Sequence, residues 1–188
     1  MTRIIGGVLG SLRLKGPAKA TRPTSDRVKE SIFSILDSRG AIQNARVLDL
    51  FAGTGALGLE AASRGARSVT LVERDPAAAK VSEENLRQVA EGLSKSGINC
   101  DLRLIRSEAK SYLNRNEPVD LVFIDPPYEM THEEILTLLE SLSLSDPGTV
   151  VLERPGKEET PSHPDFFLER KNSYGDTQVF FLSRDGAR

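Results

Sequence analysis

From residue 46 onward, short apolar runs alternate with amphipathic segments, and this alternation limits the possible folds more than any other feature of the 188-residue chain. Strand-like runs cover Arg46–Leu50, Ser68–Glu73, Asp101–Arg106, Val119–Ile124 and Thr149–Glu153. Between them, apolar residues at 3–4 spacing predict helices over Ala56–Arg64, Pro76–Gly92, Glu108–Asn114 and His132–Leu142. A parallel pair needs a long crossover, usually a helix lying on the sheet, so the pattern implies a mostly parallel sheet covered on both faces. The rhythm breaks at the end. Phe166–Lys171 and Thr177–Leu182 flank Asn172-Ser173-Tyr174-Gly175-Asp176, so an antiparallel hairpin should close the sheet.

The first 39 residues read differently. Arg3-Ile4-Ile5 and Leu12-Arg13-Leu14 are strand-like around Gly6, Gly7 and Gly10, which predicts a short hairpin. Residues 15–23 read as loop, and Thr24 or Ser25 can cap a helix from Asp26 to about Asp37. We divide the chain into a basic hairpin–helix extension, residues 1–39, and a second unit, residues 40–188. The extension holds eight basic and three acidic residues, a net charge of +5, which leaves −7 for the remainder of a chain whose total is −2. A basic head on an acidic body suggests an anionic partner met through the head.

Composition removes several classes. A pI near 5.8 excludes a globally basic nucleic-acid binder but permits a local basic patch. Cys100 is the single cysteine, and His132 and His163 are far apart, so neither a disulfide framework nor a Cys- or His-based metal site is expected. No run approaches the roughly 20 apolar residues that span a bilayer, and no signal-peptide core is evident, so the expectation is a reduced cytoplasmic protein without a membrane partner.

Chemistry concentrates in two motifs. The first is Val47-Leu48-Asp49-Leu50-Phe51-Ala52-Gly53-Thr54-Gly55-Ala56-Leu57-Gly58, an apolar strand entering a glycine turn and then a helix. Glycines let the backbone approach a ligand, and Glu73, closing the next strand, stands where an acid can bond a ribose diol. NAD, FAD and S-adenosylmethionine all present such a ribose. Asp49 helps to decide, because a carboxylate just ahead of the glycines would oppose a pyrophosphate and suit a ligand with an ammonium group. The run resembles the first motif of class I methyltransferases, and that resemblance implies S-adenosylmethionine. It also implies that the loop after the third strand contacts the adenine, through Ser107 or Glu108, with Ala109 leaving room.

The second motif is Asp125-Pro126-Pro127-Tyr128, after the apolar strand ending at Ile124. It is similar to the signature of methyltransferases that act on amino groups conjugated to a π-system. Asp125 and the Pro126 carbonyl can accept the two N–H bonds of such an amine. The prolines stiffen the loop, and Tyr128 can stack on a base plane.

The head carries a third motif, Arg22-Pro23-Thr24-Ser25-Asp26-Arg27-Val28-Lys29-Glu30-Ser31-Ile32-Phe33. With Arg3-Ile4-Ile5-Gly6-Gly7, Asp49 to Gly58, Glu73, Asn85-Leu86, Asp125 to Tyr128, Glu153 and Tyr174-Gly175-Asp176-Thr177, the chain resembles RsmD, the bacterial family that methylates guanine N2 in 16S ribosomal RNA. The resemblance implies a class I methyltransferase fold, Rossmann-like, with a mostly parallel seven-stranded sheet. It implies a monomer acting on 16S rRNA within the small ribosomal subunit or an assembly intermediate. It assigns Asp125, Pro126, Pro127 and Tyr128 to catalysis, and Arg22, Thr24, Asp49, Phe51, Gly53, Gly55, Glu73, Arg74, Ser107, Glu108 and Ala109 to the cofactor. No metal is implied. Arg3, Arg13, Lys15 and Lys19 are candidates for RNA phosphates. The family's basic-Gly-basic run reads Gly10-Ser11-Leu12 here, so two of its positive charges are missing.

Other readings are an adenine-N6 nucleic-acid methyltransferase, a glutamine-N5 protein methyltransferase, a non-catalytic RNA-binding module and an NAD-dependent oxidoreductase. About twenty residues separate Tyr128 from the next strand, too few for a DNA-recognition domain. Glutamine enzymes commonly carry Asn where Asp125 stands. The oxidoreductase leaves Asp125 to Tyr128 without a role.

Overall fold

The computed structural model describes residues 2–16, 26–114, 117–156 and 161–184. In chain order these form β1 (Thr2–Arg3), β2 (Arg13–Leu14), α1 (Asp26–Ser38), β3 (Arg46–Asp49), α2 (Ala56–Ser63), β4 (Ser68–Val72), α3 (Pro76–Lys95) and β5 (Asp101–Ile105). They continue with α4 (Ala109–Leu113), β6 (Val119–Ile124), α5 (His132–Glu140), β7 (Leu144–Pro155), β8 (Phe166–Tyr174) and β9 (Thr177–Arg184). The candidate caps Thr24 and Ser25 lie outside the described residues.

Seven strands make one sheet in the order β5-β4-β3-β6-β7-β9-β8. Strands β3 to β7 run parallel, and β9 is antiparallel to both β7 and β8. Burial explains the final order. Val179, Phe180, Phe181 and Leu182 of β9 are apolar toward both faces and almost fully buried, so β9 takes an interior place. Strand β8 is largely exposed and carries Glu169, Arg170 and Lys171, so it forms the edge, with a bulge between Leu168 and Arg170.

The sheet is covered on both sides. On one face Ile32 and Phe33 of α1, Leu59 of α2 and Val89 of α3 pack over Val47, Leu71 and Phe123. On the other, Leu113 of α4 and Ile135 and Leu139 of α5 pack over Leu48, Val122 and Phe180. The class I methyltransferase architecture expected from the motifs is therefore present.

The basic head is built into this core. Ile4 and Leu14 of the β1–β2 hairpin belong to the first cluster. Glu60 of α2, fully buried, accepts N–H bonds from Ile5 (2.7 Å) and Gly6 (2.8 Å) and also holds Arg64 Nε at 2.8 Å. Ser63 donates to the Gly6 carbonyl (2.7 Å) and accepts from Leu9 N–H (3.0 Å). The buried Lys29 ammonium of α1 donates to the Arg3 carbonyl, and burial holds its pKa below the usual lysine value.

Three boundaries differ from the periodicity, one of them the end of β8, which runs to Tyr174 instead of Lys171 and leaves Gly175-Asp176 as the hairpin turn. Helix α3 passes through Gly92 to Lys95, because Gly92 is small to admit the hairpin, not to end a helix: a Cβ there would lie 2.8 Å from Leu9 Cδ2. Strand β7 starts at Leu144 instead of Thr149, pairing Leu144 with Val119 before a register shift brings Thr149 opposite Leu121.

Close helix–sheet packing at α2 also depends on a glycine. A Cβ on Gly58 would lie 2.4 Å from Leu71 Cδ2 and 2.9 Å from Val69 Cγ1, both in the buried core. Gly58→Ala should therefore lower stability by about 1–3 kcal/mol through overpacking. Urea denaturation is the check, and an unchanged midpoint would contradict this packing.

Candidate active site

Parallel pairing of β3 with β6 aligns Val47 with Leu121, Leu48 with Val122 and Asp49 with Phe123. Strand β3 has β4 on its other side, so the chain order reverses beside it. Such a switch point opens a crevice at the carboxyl ends of the strands. Both sequence motifs end there, the glycine turn after β3 and Asp125 to Tyr128 after β6. Glu73, after β4, and Ser107 and Glu108, after β5, share the same edge.

The three glycines divide the work. Gly53 (φ 54°) and Gly55 (φ 80°) both need the left-handed backbone that L side chains rarely adopt. A Cβ on Gly53 would meet only the Phe51 carbonyl, at 4.0 Å, so Gly53 faces open space. A Cβ on Gly55 would lie 3.0 Å from both Leu71 Cδ1 and Ser82 Oγ, so Gly55 shapes the turn from its protein side. A close approach to the backbone is thus left open at Gly53, while Gly55 and Gly58 are packed on their protein side.

Two carboxylates brace the turn. Asp49, 2% exposed, accepts the Gly58 N–H at 3.0 Å and so satisfies an N-terminal donor of α2, whose Gly55 cap offers no side chain. Burial, helped by nearby Asp125 and Glu73 and opposed by backbone N–H bonds, pushes the Asp49 carboxyl up to about 7. Glu73 accepts from Gly53 N–H (2.8 Å) and Asp75 N–H (2.7 Å), one on each oxygen. Each oxygen keeps a second lone pair for a diol hydroxyl. Phe51 is half-buried against the α4–α5 face.

The neighbouring loop is more open. Arg74 and Glu108, both mostly exposed, form a loose 3.8 Å pair linking the ends of β4 and β5. The Ser107 hydroxyl bonds the Glu108 carbonyl at 3.1 Å, and Ala109 is buried at the start of α4.

In the second motif Asp125 is half-buried, Pro126 is buried, and Tyr128 has 53% of its surface exposed. The Pro127 carbonyl is engaged by Met130 N–H at 3.0 Å. Two anchors fix the far side of the loop. Arg154 of β7, 3% exposed, donates to the Met130 carbonyl at 2.6 Å, and Thr131 with Glu134 forms a capping box on α5. The β8–β9 turn closes the same edge, where Gly156 N–H bonds the Asp176 carbonyl at 2.6 Å and Tyr174 bonds Ser31 of α1. Arg154 belongs to none of the sequence motifs, since it bonds a backbone carbonyl 24 residues away and leaves no local pattern.

Of the basic candidates, Arg3 pairs with Asp26 at 2.9 Å and Lys15 pairs with Glu84. Arg13 is exposed and makes no ion pair among the described residues. Lys19, Arg22 and Thr24 lie outside the described residues. Among the described residues, no cluster of His, Cys, Asp or Glu is arranged to hold a metal, and no helix is long and apolar enough to cross a membrane.

Residues 2–183 match the family model described as "Conserved hypothetical protein 95". The chain belongs to this family, RsmD. It is 35% identical over 188 residues to the Escherichia coli K12 protein named "Ribosomal RNA small subunit methyltransferase D", covering 97% of this chain and 90% of the relative. The solved structure of Escherichia coli yhhF superposes with a TM-score of 0.83 at 34% identity, covering 98% of each chain. The fold extends to magnesium protoporphyrin IX methyltransferase from Synechocystis PCC 6803, solved with bound SAM, with a TM-score of 0.65 at 15% identity over 85% of this chain and 79% of that one.

The raised Asp49 pKa sets a pH dependence in this RsmD-family protein. The folded value, about 7, lies above the ordinary 3.8, so folding takes up a proton between these limits. Wild-type stability should therefore lose the Asp49 contribution as pH rises through that window. Asp49→Asn keeps an acceptor for Gly58 N–H but cannot ionise. Its stability relative to wild type should increase from about pH 5 to about pH 8. Denaturation curves at both pH values measure this, and a constant difference would show that Asp49 titrates normally.

Proposed function

We propose that the protein methylates the exocyclic N2 amine of a guanine in 16S rRNA, using S-adenosylmethionine, on the small ribosomal subunit or an assembly intermediate. The observation that carries the reading is the convergence of the braced glycine turn and the Asp125–Tyr128 loop on neighbouring strands at one sheet edge. Family membership over nearly the whole chain, and the relative named as a small-subunit rRNA methyltransferase, support rRNA as the substrate class.

The cofactor supplies an already activated methyl group on a sulfonium. The residues present suit it: a buried acid pushed up to about 7 gains from a cation, Glu73 retains lone pairs for a ribose, and Gly53 borders open space. Asp49 would face the ammonium, Glu73 the ribose, and Ser107, Glu108 and Ala109 the adenine. Phe51, Gly53, Gly55 and Arg74 complete this site, with Arg22 and Thr24 joining it from the head.

Transfer of an activated methyl needs alignment more than a strong base. Asp125 and the Pro126 carbonyl accept hydrogen bonds from the two amine N–H groups and turn the nitrogen lone pair toward the methyl, and the one proton lost after transfer leaves to solvent. Tyr128, half-exposed, stacks on the base. Arg154 and the α5 capping box keep the loop rigid so that these acceptors stay aimed. A ribosomal substrate would place the protein, acting as a monomer, in the cytoplasm.

The direct test is transfer from labelled S-adenosylmethionine to small subunits lacking the modification, followed by nucleoside mass analysis. N2-methylguanosine is the expected product, and N6-methyladenosine would overturn the reading. Asp125→Ala should slow single-turnover methylation by about 10²–10³ while S-adenosylhomocysteine affinity stays near wild type. An unchanged rate would remove Asp125 from the chemistry.

The extension at residues 1–39 supplies the phosphate contacts, Arg3, Arg13, Lys15 and Lys19. Phosphates compete with Asp26 for Arg3 and with Glu84 for Lys15, so Arg13 should contribute most. Arg13→Gln should flatten the salt dependence of substrate affinity by up to about 0.9 in log–log slope, and Lys15→Gln should do less. Affinities across a salt series decide this, and parallel lines for Arg13→Gln and wild type would show that the hairpin does not grip RNA.

A further inference from the structure

Asn85 sits on the face of α3 that Ala79, Ser82, Val89 and Leu93 bury, and it is fully buried itself. A polar side chain there is tolerated only if its hydrogen bonds are met. They are met by two distant segments. Asn85 Oδ1 accepts the Lys15 N–H at 2.7 Å, and Nδ2 donates to the Lys15 carbonyl at 3.1 Å and to the Thr54 carbonyl at 2.9 Å. Lys15 follows β2 and is where the basic hairpin leaves the core. Thr54 stands between Gly53 and Gly55 at the centre of the glycine turn. One amide thus joins the exit of the hairpin to the turn proposed to hold the cofactor. Of the other hairpin anchors, Glu60 and Ser63 bond residues 5–9 and Lys29 bonds Arg3, and none of these hydrogen bonds reaches the turn.

We infer that Asn85 couples the two substrate sites: occupation of the glycine turn stiffens the hairpin exit through the Thr54–Asn85–Lys15 bridge, and an RNA held by the hairpin tightens the turn in return. Asn85 is a positioning residue in this scheme and touches neither substrate. The coupling is reciprocal by thermodynamic necessity. Its form rests on the reading of the turn as the cofactor site.

Amide hydrogen exchange reads the coupling without RNA or activity. In wild type, saturating S-adenosylhomocysteine should slow exchange in the segment 12–16 about fivefold or more, the usual lower range for coupled sites. In Asn85→Ala the protection should vanish. In Glu60→Gln, which loosens the hairpin elsewhere, it should persist. If Asn85→Ala does not fold, Asn85→Asp carries the same test, because it keeps the volume and the acceptor for Lys15 N–H but sets a carboxylate against two carbonyls. Calorimetry on the same samples separates the two readings. Bound S-adenosylhomocysteine with no protection in wild type, or with equal protection in wild type and the Asn85 variant, overturns the coupling alone. Absence of binding to wild type overturns the cofactor assignment and the coupling with it.

Discussion

Everything at the candidate site depends on the parallel pairing of β3 with β6. These strands are more than 70 residues apart in sequence, yet their register sets Asp49 opposite Phe123, two residues before Asp125. Parallel pairing is the only arrangement that sends both carboxyl ends to one edge. The apolar faces enforce it, since Val47 and Phe123 face one helical layer while Leu48 and Val122 face the other. A one-residue slip would turn each strand's buried set toward the wrong layer. The crevice is therefore as stable as the core beneath it.

The second constraint is electrostatic. Buried acids and bases rarely persist without partners, and two of them, Glu60 and Lys29, fasten the head to the core. Glu60 is held by two backbone N–H groups and Arg64, and Lys29 by the Arg3 carbonyl. Asp49 differs, with a backbone clamp at Gly58 but no cation bonded to it among the described residues, and burial drives its pKa upward.

Much of this was legible in sequence because apolar periodicity and burial are the same information. Strand β6 matches its expected span over Val119–Ile124, and the other strands and helices of the alternating region are found near their expected places. What escaped was long-range or hidden by ambiguous residue types. Gly92 reads as a helix stop unless Leu9, 83 residues earlier, is known to press on it. The pairing of Arg3 with Asp26 and Lys15 with Glu84 turns apparently spare charges into shared ones, and no local pattern announces ion pairs across 23 and 69 residues. The roles of Gly53, Gly55 and Gly58 are identical in a motif and separable only once the atoms opposite each are known. Asn85 was visible as part of a family pattern, but its bridge was not, because both of its partners are backbone atoms.

Strand β8 has a consequence of another kind. Among the described residues no strand pairs with its outer edge, and Phe167 and Leu168 are half in solvent. An open edge with apolar side chains is a template for a strand from another molecule. Here the bulge between Leu168 and Arg170 breaks the repeat that such a strand would need to follow, and Glu169, Arg170 and Lys171 set charges along the rest. The same residues that unfit β8 for the interior thus make it a poor template for an eighth strand.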